Sequence, residues 1–483
     1  MKVTRTGIVL KPDPARVLFR PFTFMGDERP QRIITRILLL SEAEVVEMLN
    51  QVLADFHTRH QRLRDYFLKR FATVRHLLPT DNHISDERAL LIGAYFTHEY
   101  SLEAAALFNP SIVPHPDQTD VPDGSLRFIV SLRATGEGHI SSITFRTGII
   151  DVSGRIVINT PTRYVTAPEH ILQPTYDKSI FWRKLEELGV ADNVAELIMS
   201  KLSEQFTVQE MTDEIAHRRK FAHHRNSEFD RTADRMLTLA KSNYEVVYTP
   251  EQPLSERVII PHSPYESNGI EDARFVLFTE DDGTKLYIAT YTAYDGRVTI
   301  PQLLETRDFL HFRIITLNGP EVQGKGMALF PRRIQGLYYM LSRQDGENLY
   351  LMHSDDLHFW HSKEPLVKPT FPWEFMQIGN CGSPIETEKG WLVISHGVGP
   401  MRKYSIGAFL LDLDNPLRVI GRLRHPLLTP DESEREGYVP NVVYSCGAMV
   451  YHGLLVLPYA MSDSASSFAT IPLADLLASM EPV

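Results

Sequence analysis

Cysteine is almost absent: Cys381 and Cys446 are the two in 483 residues. Two thiols cannot build a disulfide framework or a paired-cysteine zinc site, and so low a count fits a reducing compartment. Positive charge is also in short supply. Fifty Lys and Arg against 61 Asp and Glu give a formal net charge of −11, the wrong sign for diffuse nucleic-acid binding. Arg218-Arg219-Lys220 and Arg332-Arg333 are too short to compensate. No stretch approaches the roughly 18–20 apolar residues that cross a bilayer. Residues 1–5 lead into no apolar stretch with a small-residue cleavage site, so no secretory signal is expected. The expectation is a cytoplasmic protein with no nucleic-acid and no membrane partner. With 43% hydrophobic residues, the chain can bury large cores without metal or disulfide staples, as two to four domains or as one large β-architecture.

Two textures alternate along the chain. Ser41 and Glu44 have capping-box spacing, and Val45, Met48, Leu49, Val52, Leu53 and Phe56 follow at helical intervals. This pattern predicts a helix continuing through Leu63, Tyr66, Phe67 and Phe71. A second helix is expected over 86–108. From Leu126 the texture is β-rich: two apolar runs flank Gly136-Glu137-Gly138 and predict a hairpin. Residues 149–158, interrupted at Ser153-Gly154, look like another. Helix returns over 178–242, with a second capping box at Thr207 and Glu210 and with Val194, Leu197, Ile198 and Leu202 on one face.

Beyond Tyr244 the helical period fades. Short β runs recur at 275–278, 286–290, 313–316, 337–342, 349–353, 391–395, 408–413, 449–451 and 454–459, separated by turn pairs such as Asp282-Gly283, Asn318-Gly319 and Asp345-Gly346. Many short strands at even spacing predict a sandwich, barrel or propeller, and the recurring strand–turn–strand unit favours the propeller. A short helix is expected after Pro472.

The densest polar cluster is Glu266-Ser-Asn-Gly-Ile-Glu-Asp-Ala-Arg274. Strand alternation sends Glu271 and Asp272 to opposite faces and puts Asp272 and Arg274 on the same one, where the guanidinium can hold a carboxylate. The plain alternative is a surface turn with an ion pair. Lys325 and Arg343 flank two apolar runs that could pair as neighbouring strands, and together they would suit an anion such as phosphate. His396 lies among glycines at the end of a strand-like run. Other patterns fail: Gly324-Lys325-Gly326 is no phosphate loop because no helix follows, and Gly397 with Gly399 is no dinucleotide fingerprint. His223-His224 and the group His353, His358 and His361 lack metal-ligand spacing, and no metal is signalled.

Taken together, the stretches Asn109-Pro-Ser, Ser131-Leu-Arg133, Gly269-Ile-Glu-Asp-Ala-Arg274, Ala328-Leu-Phe-Pro331, Gly390-Trp-Leu, His396-Gly-Val, Gly437-Tyr-Val-Pro-Asn-Val-Val and Cys446-Gly resemble, in order, glycoside hydrolase family 130. This is a family of β-mannoside phosphorylases and β-mannosidases. The resemblance implies a mainly β fold, a five-bladed β-propeller, with additional α-helical segments in the N-terminal half. The implied divisions are 1–108 for N-terminal strands and a helical extension, 109–170 for the first propeller strands, 171–243 for a helical insertion, and 244–483 for the remaining blades and a C-terminal helix.

The resemblance also implies inverting phosphorolysis of a β-mannoside to α-mannose 1-phosphate. Asp272 would be the proton donor, acting through the mannose 3-hydroxyl. Lys325, Arg343, His396 and Tyr404 would hold phosphate, and Asn109, Arg133, Glu271, Arg274 and Asp463 would contact the substrate. Tyr291, Tyr294 and Trp373 are candidates for the sugar's apolar face. The partners are then a β-mannoside oligosaccharide and inorganic phosphate, with no cofactor. Two alternatives stand beside this reading: a β-mannosidase using water, with Glu386 as its base, and a noncatalytic carbohydrate-binding propeller. Lysine at 325, where the phosphorylase pattern often has arginine, gives up the bidentate fork. The helical segments could cover the pocket or form a homo-oligomer interface.

Overall fold

The computed structural model describes residues 2–168, 170–172, 175–221 and 227–483; His223-His224 lies outside them. The protein is mainly β. The predicted hairpin pairs Leu126–Thr135 with Ser141–Ile150 in full register, from Leu126↔Ile150 to Thr135↔Ser141. Ala106–Pro114 extends it on one side and Ile156–Ile158 on the other. A second antiparallel meander follows: Gly269–Thr279, Lys285–Tyr294, Thr299–Thr306 and His311–Thr316. Among the described residues the two groups share one backbone pairing, the parallel Gly269↔Ser141, and pack together through a common core that includes Phe145, Phe275 and Phe309.

Two more antiparallel meanders come next, the second with Ile385–Thr387 as an additional short strand. One runs Lys325–Leu329, Tyr338–Arg343, Leu349–Ser354 and Ser362–Val367; the other runs Gln377–Asn380, Gly390–Val398, Tyr404–Leu411 and Val419–Arg422. The last group joins Val443–Tyr444, Leu454–Met461 and Ala465–Pro472 to Thr4–Leu10, so the chain's first strand pairs with its last. Each group buries apolar side chains against its neighbours. Phe278, Ile288 and Met340 meet between the second and third meanders, and Leu341, Trp391 and Phe409 between the third and fourth.

The helices form two packed units with cores of their own. Glu28–Leu38, Glu42–Phe56, Leu63–Val74 and Asp86–Tyr95 bury Ile34, Ile37, Val45, Leu91 and Phe96. Lys178–Glu187, Asn193–Met199, Val208–Phe221 and Ser227–Ala240 bury Phe181, Leu185, Ile198, Met211 and Met236. Both predicted capping boxes form, at Ser41/Glu44 and Thr207/Glu210. The short helix Leu473–Ala478 follows Pro472.

Several sequence expectations need correction. The helix from Ser41 does not run on to Phe71: it ends at Phe56, and a new one starts after Arg62, whose φ of 55° is incompatible with a continuous helix. The helix expected over 86–108 stops at Tyr95. Residues 97–101 instead pair with Val17–Pro21, and 106–114 join the first sheet, because tertiary burial outweighs the helix propensity of the alanines at 104–106. Leu197 departs from its predicted face and stays 47% exposed. The helix Glu28–Leu38 and the pairing of the two chain ends were not foreseen.

Candidate active site

Chemistry-bearing residues converge where strands break their regular pairing. The ladder between Gly269–Thr279 and its partner shifts register between Glu271 and Arg274, and Asp272 has a φ of 56°. Ala106–Pro114 has a matching irregularity between Phe108 and Ser111, where Asn109 has a φ of 50°. Left-handed conformations are uncommon for residues with a Cβ and cluster at functional sites. The two bulged residues face each other: Asn109 Nδ2 donates to Asp272 Oδ1 at 2.6 Å. Asp463 is a third left-handed residue, with a φ of 51°, in the turn before Ala465–Pro472.

The bulge overturns the alternation expected at Glu271 and Asp272. An extra residue resets the face, so both carboxylates reach Arg133. Its Nη2 donates to Glu271 Oε1 at 2.9 Å, and its Nη1 lies 3.4 Å from Asp272 Oδ1. Arg133 Nε is held by Ser141 Oγ at 2.8 Å, and its guanidinium lies over Phe108. Arg274 is buried. It donates to the Asp272 carbonyl at 2.9 Å and to Tyr444 Oη at 2.7 Å, and its Nη2 lies 3.9 Å from Asp272 Oδ2.

Burial works to raise the Asp272 pKa. The charges of Arg133 and Arg274, the Asn109 hydrogen bond and the charge of Lys325 outweigh it and hold the carboxyl below its usual range. Asp463 goes the other way: burial, and then the negative charge of Asp272, push it up to about 6 against the pull of Arg133 and Arg402. Two nearby carboxyls thus have affinities for the proton driven apart.

Lys325 and Arg343 are direct cross-strand partners, as the flanking pattern suggested. Lys325 Nζ donates to Glu271 Oε2 at 2.7 Å and lies 5.6 Å from the centre of the Tyr294 ring. Arg343 Nη1 lies 3.1 Å from His396 Nε2. Burial, together with the charges of Arg343 and Arg274, drives the His396 pKa well below its ordinary value. The ring is therefore neutral and presents Nε2 to the guanidinium as an acceptor. Tyr404 stacks on His396 with ring centres 5.9 Å apart and planes at 17°.

The site therefore joins Asn109, Arg133, Glu271, Asp272, Arg274, Lys325, Arg343, His396 and Tyr404 through direct contacts, and Asp463 through its electrostatic coupling. Asn109 Oδ1 and Arg274 Nε are buried here without a hydrogen-bond partner. Unpaired buried polar atoms are costly.

Other candidates lie elsewhere. Tyr291 is in the core, its hydroxyl donating to Glu266 Oε1 at 2.6 Å. Trp373 packs against the backbone of Gly397, Gly399 and Gly407 and donates to Arg424 O. Of the three aromatics, Tyr294 is the one beside Lys325. Glu386 is held by both oxygens to Arg332, at 2.8 and 2.6 Å. It lines a separate cavity of about 300 Å³ to which no member of the Asp272 cluster contributes.

Sequence reasoning missed two supporting residues. Tyr444 braces Arg274 and packs on His396 at 4.8 Å. Gln377 lies against Arg343 and His396, its side-chain amide 3.2 Å from His396 Nε2. Neither stands out locally, because each acts across strands far away in sequence. The proximity of Tyr444 to the Gly437-Tyr-Val-Pro-Asn-Val-Val stretch was the one available signal.

The family model described as β-1,4-mannooligosaccharide phosphorylase, glycoside hydrolase family 130, matches residues 225–482. The chain belongs to this family. A 1,2-β-oligomannan phosphorylase from Thermoanaerobacter sp. (strain X514) is 33% identical over 231 residues, covering 46% of this chain and 75% of the relative. A β-1,4-mannooligosaccharide phosphorylase from Ruminococcus albus is 33% identical over 162 residues, covering 31% and 48%. Among solved structures, the β-1,2-mannobiose phosphorylase of Listeria innocua in complex with β-1,2-mannobiose is similar with a TM-score of 0.45 at 20% identity, covering 78% of this chain and 92% of that one. The family model's match begins after most of the helical segments.

Proposed function

We propose that this family 130 member is an inverting β-mannoside phosphorylase that splits a β-mannosidic bond with inorganic phosphate and releases α-mannose 1-phosphate. The observation that carries this reading is the juxtaposition of a bulged, hydrogen-bonded Asp272 with the paired cations Lys325 and Arg343. Phosphate is already a nucleophile, so no protein base is required. The protein's tasks are to align the anion with the anomeric carbon and to protonate the leaving oxygen.

In this reading Asp272 is the acid, with the mannose 3-hydroxyl as relay. A phosphate oxygen bonds to the anomeric carbon on the face opposite the departing sugar. The bond to that sugar's oxygen breaks, and the proton ends on that oxygen. Asp272 is ionised in the free site because cations surround it. A phosphate dianion seated on Lys325 and Arg343 would offset part of that field and raise the affinity of Asp272 for its proton. Nucleophile binding thereby arms the acid. Lys325 exchanges Glu271 for phosphate, Arg343 and the neutral His396 supply donors beside it, and Tyr404 closes that side. Asn109 Oδ1, Arg133 and Asp463 face the sugar hydroxyls, while Glu271 and Arg274 keep Arg133 and Asp272 in position.

The five strand groups are read as blades of a propeller with this site at the centre, flanked by helical units at 1–108 and 171–243. The test is incubation with β-1,2-, β-1,3- and β-1,4-linked mannobiose and with mannosyl-glucose, with and without phosphate. Mannose 1-phosphate formed only with phosphate supports the phosphorylase. Free mannose formed equally in both conditions overturns it.

A further inference from the structure

The hairpin that brings Arg133 into the site ends in a tight tip. Gly136 N–H closes on Ile140 O at 3.0 Å, and Gly138 and His139 both have positive φ, 69° and 61°. Positive φ is uncommon for a residue with a Cβ, and histidine is among those that adopt it more readily. The exposed His139 ring stacks on Tyr438, with centres 5.7 Å apart and planes at 30°. Tyr438 is itself 63% exposed. Its neighbour Val439 turns inward onto the cluster containing Phe108 and Tyr444, and its N–H donates to Ser462 O at 3.1 Å, one residue from Asp463. The aromatic pair thus joins the loop above Arg133 to the loop beside Asp463. The chemistry described so far uses neither ring.

We propose that Tyr438, held by His139, is the wall on which the departing sugar packs, so that this pair sets the preference for the acceptor. The inference rests on the phosphorylase reading. In an inverting displacement, nucleophile and leaving group occupy opposite sides of the anomeric carbon. Lys325, Arg343 and His396 come from the third and fourth strand groups. The aromatic pair rises instead from the loops of the first and last groups. Rings 5.7 Å apart leave no space for a pyranose between them, so the sugar lies on the open face of Tyr438, its C–H face against the ring.

The N-terminal segment takes part as a brace. Tyr100 Oη donates to Ile140 O at 3.2 Å. Gly136 is so tightly enclosed that an added Cβ would lie 2.5 Å from both Ser101 O and Tyr100 Oη. Tyr100 is therefore a positioning residue for the tip, which gives residues 97–101 a link to acceptor choice.

The experiment compares wild type with Tyr438→Ala, Tyr438→Phe and Tyr100→Phe. Each is assayed for KM toward the best mannobiose, KM toward phosphate, and KM toward the acceptor sugar in the synthetic direction from mannose 1-phosphate. Tyr438→Ala is expected to raise the two sugar KM values about three- to tenfold and to leave phosphate KM within about twofold. Tyr438→Phe retains the ring and stays near wild type. Tyr100→Phe shifts the ratio between acceptors in the same direction as Tyr438→Ala, but less. Binding of the mannobioses to Asp272→Asn and to Asp272→Asn/Tyr438→Ala, followed by calorimetry without phosphate, reads the wall independently of turnover. Weaker binding in the double variant supports it. Unchanged sugar KM and unchanged binding in a folded Tyr438→Ala protein overturn the wall. A wild type that forms no mannose 1-phosphate overturns the phosphorylase reading instead, and the calorimetry still decides the wall.

Discussion

Replacing Asp272 with asparagine removes a proton and a charge and little else. The new amide oxygen can still accept from Asn109 Nδ2, now at 2.6 Å from the carboxylate, and Arg274 still donates to the backbone carbonyl at 272. Arg133 keeps Glu271 at 2.9 Å. Sugar binding should therefore survive. Losing a positioned general acid costs about 10²–10⁴ in rate, or roughly 3–5.5 kcal/mol of barrier. Stability should also fall at neutral pH, because the depressed pKa of Asp272 means that its ionised form stabilises the fold. Breaking a buried pair costs about 3–5 kcal/mol; here Glu271 remains as a second anion and the Asp272 side chain is 20% exposed, so about 1–2 kcal/mol is expected. Phosphorolysis of mannobiose is compared with that of 4-nitrophenyl β-mannoside, whose leaving group departs without protonation. The loss should be large for the disaccharide and mostly recovered for the nitrophenyl substrate. Equal loss on both substrates, or full activity on mannobiose, would refute the assignment of Asp272 as acid.

Lys325→Ala should raise phosphate KM about tenfold, the lower part of the range for a charge-assisted contact, because the Lys325 side chain is 44% exposed; initial rates over a phosphate series with mannobiose saturating would read this. Gly379→Ala puts a Cβ 2.5 Å from His396 Cε1 and 3.3 Å from Arg343 Nη1. It should displace the ring, cost about 1–3 kcal/mol by overpacking and weaken phosphate while sparing mannobiose binding, as paired titrations would reveal. Asp463 gives a prediction with a definite sign. Its pKa is pushed up to about 6 in the fold against about 3.9 unfolded, so the folded state binds more protons between these values and stability falls as pH rises from about 4 to 6. Asp463→Asn should therefore be more stable than wild type by about 2–3 kcal/mol at pH 8 and equal to it near pH 3; urea unfolding at the two pH values measures the difference.

What was legible in the sequence is what is local. Glu271, Asp272 and Arg274 stand within four residues, and the strand-flanking positions of Lys325 and Arg343 do become cross-strand partners. Capping boxes are likewise local, and both form. The bulge at Asp272 was not legible, because alternation assumes an unbroken ladder and the sequence between Gly269 and Arg274 contains no extra glycine at the left-handed position. Gln377 and Tyr444 escaped because their partners, Arg343 and Arg274, lie 34 and 170 residues away. Glu386 is the converse case: offered as the base of the water-using alternative, it is paired with Arg332, which was visible in the sequence only as part of a basic pair. The helix ending at Tyr95 illustrates a further limit. The alanines at 104–106 carry helical propensity, and nothing local announces that 106–114 will be buried as a strand beside Leu126–Thr135.

The most direct measurement follows the reaction of wild-type protein with mannobiose and phosphate by phosphorus and proton magnetic resonance from the first turnovers. The account predicts that the α anomer of mannose 1-phosphate appears first, in step with the loss of inorganic phosphate and the release of one free sugar per bond cleaved. Mannose released with no phosphate ester, or β-mannose 1-phosphate as the first product, would contradict it.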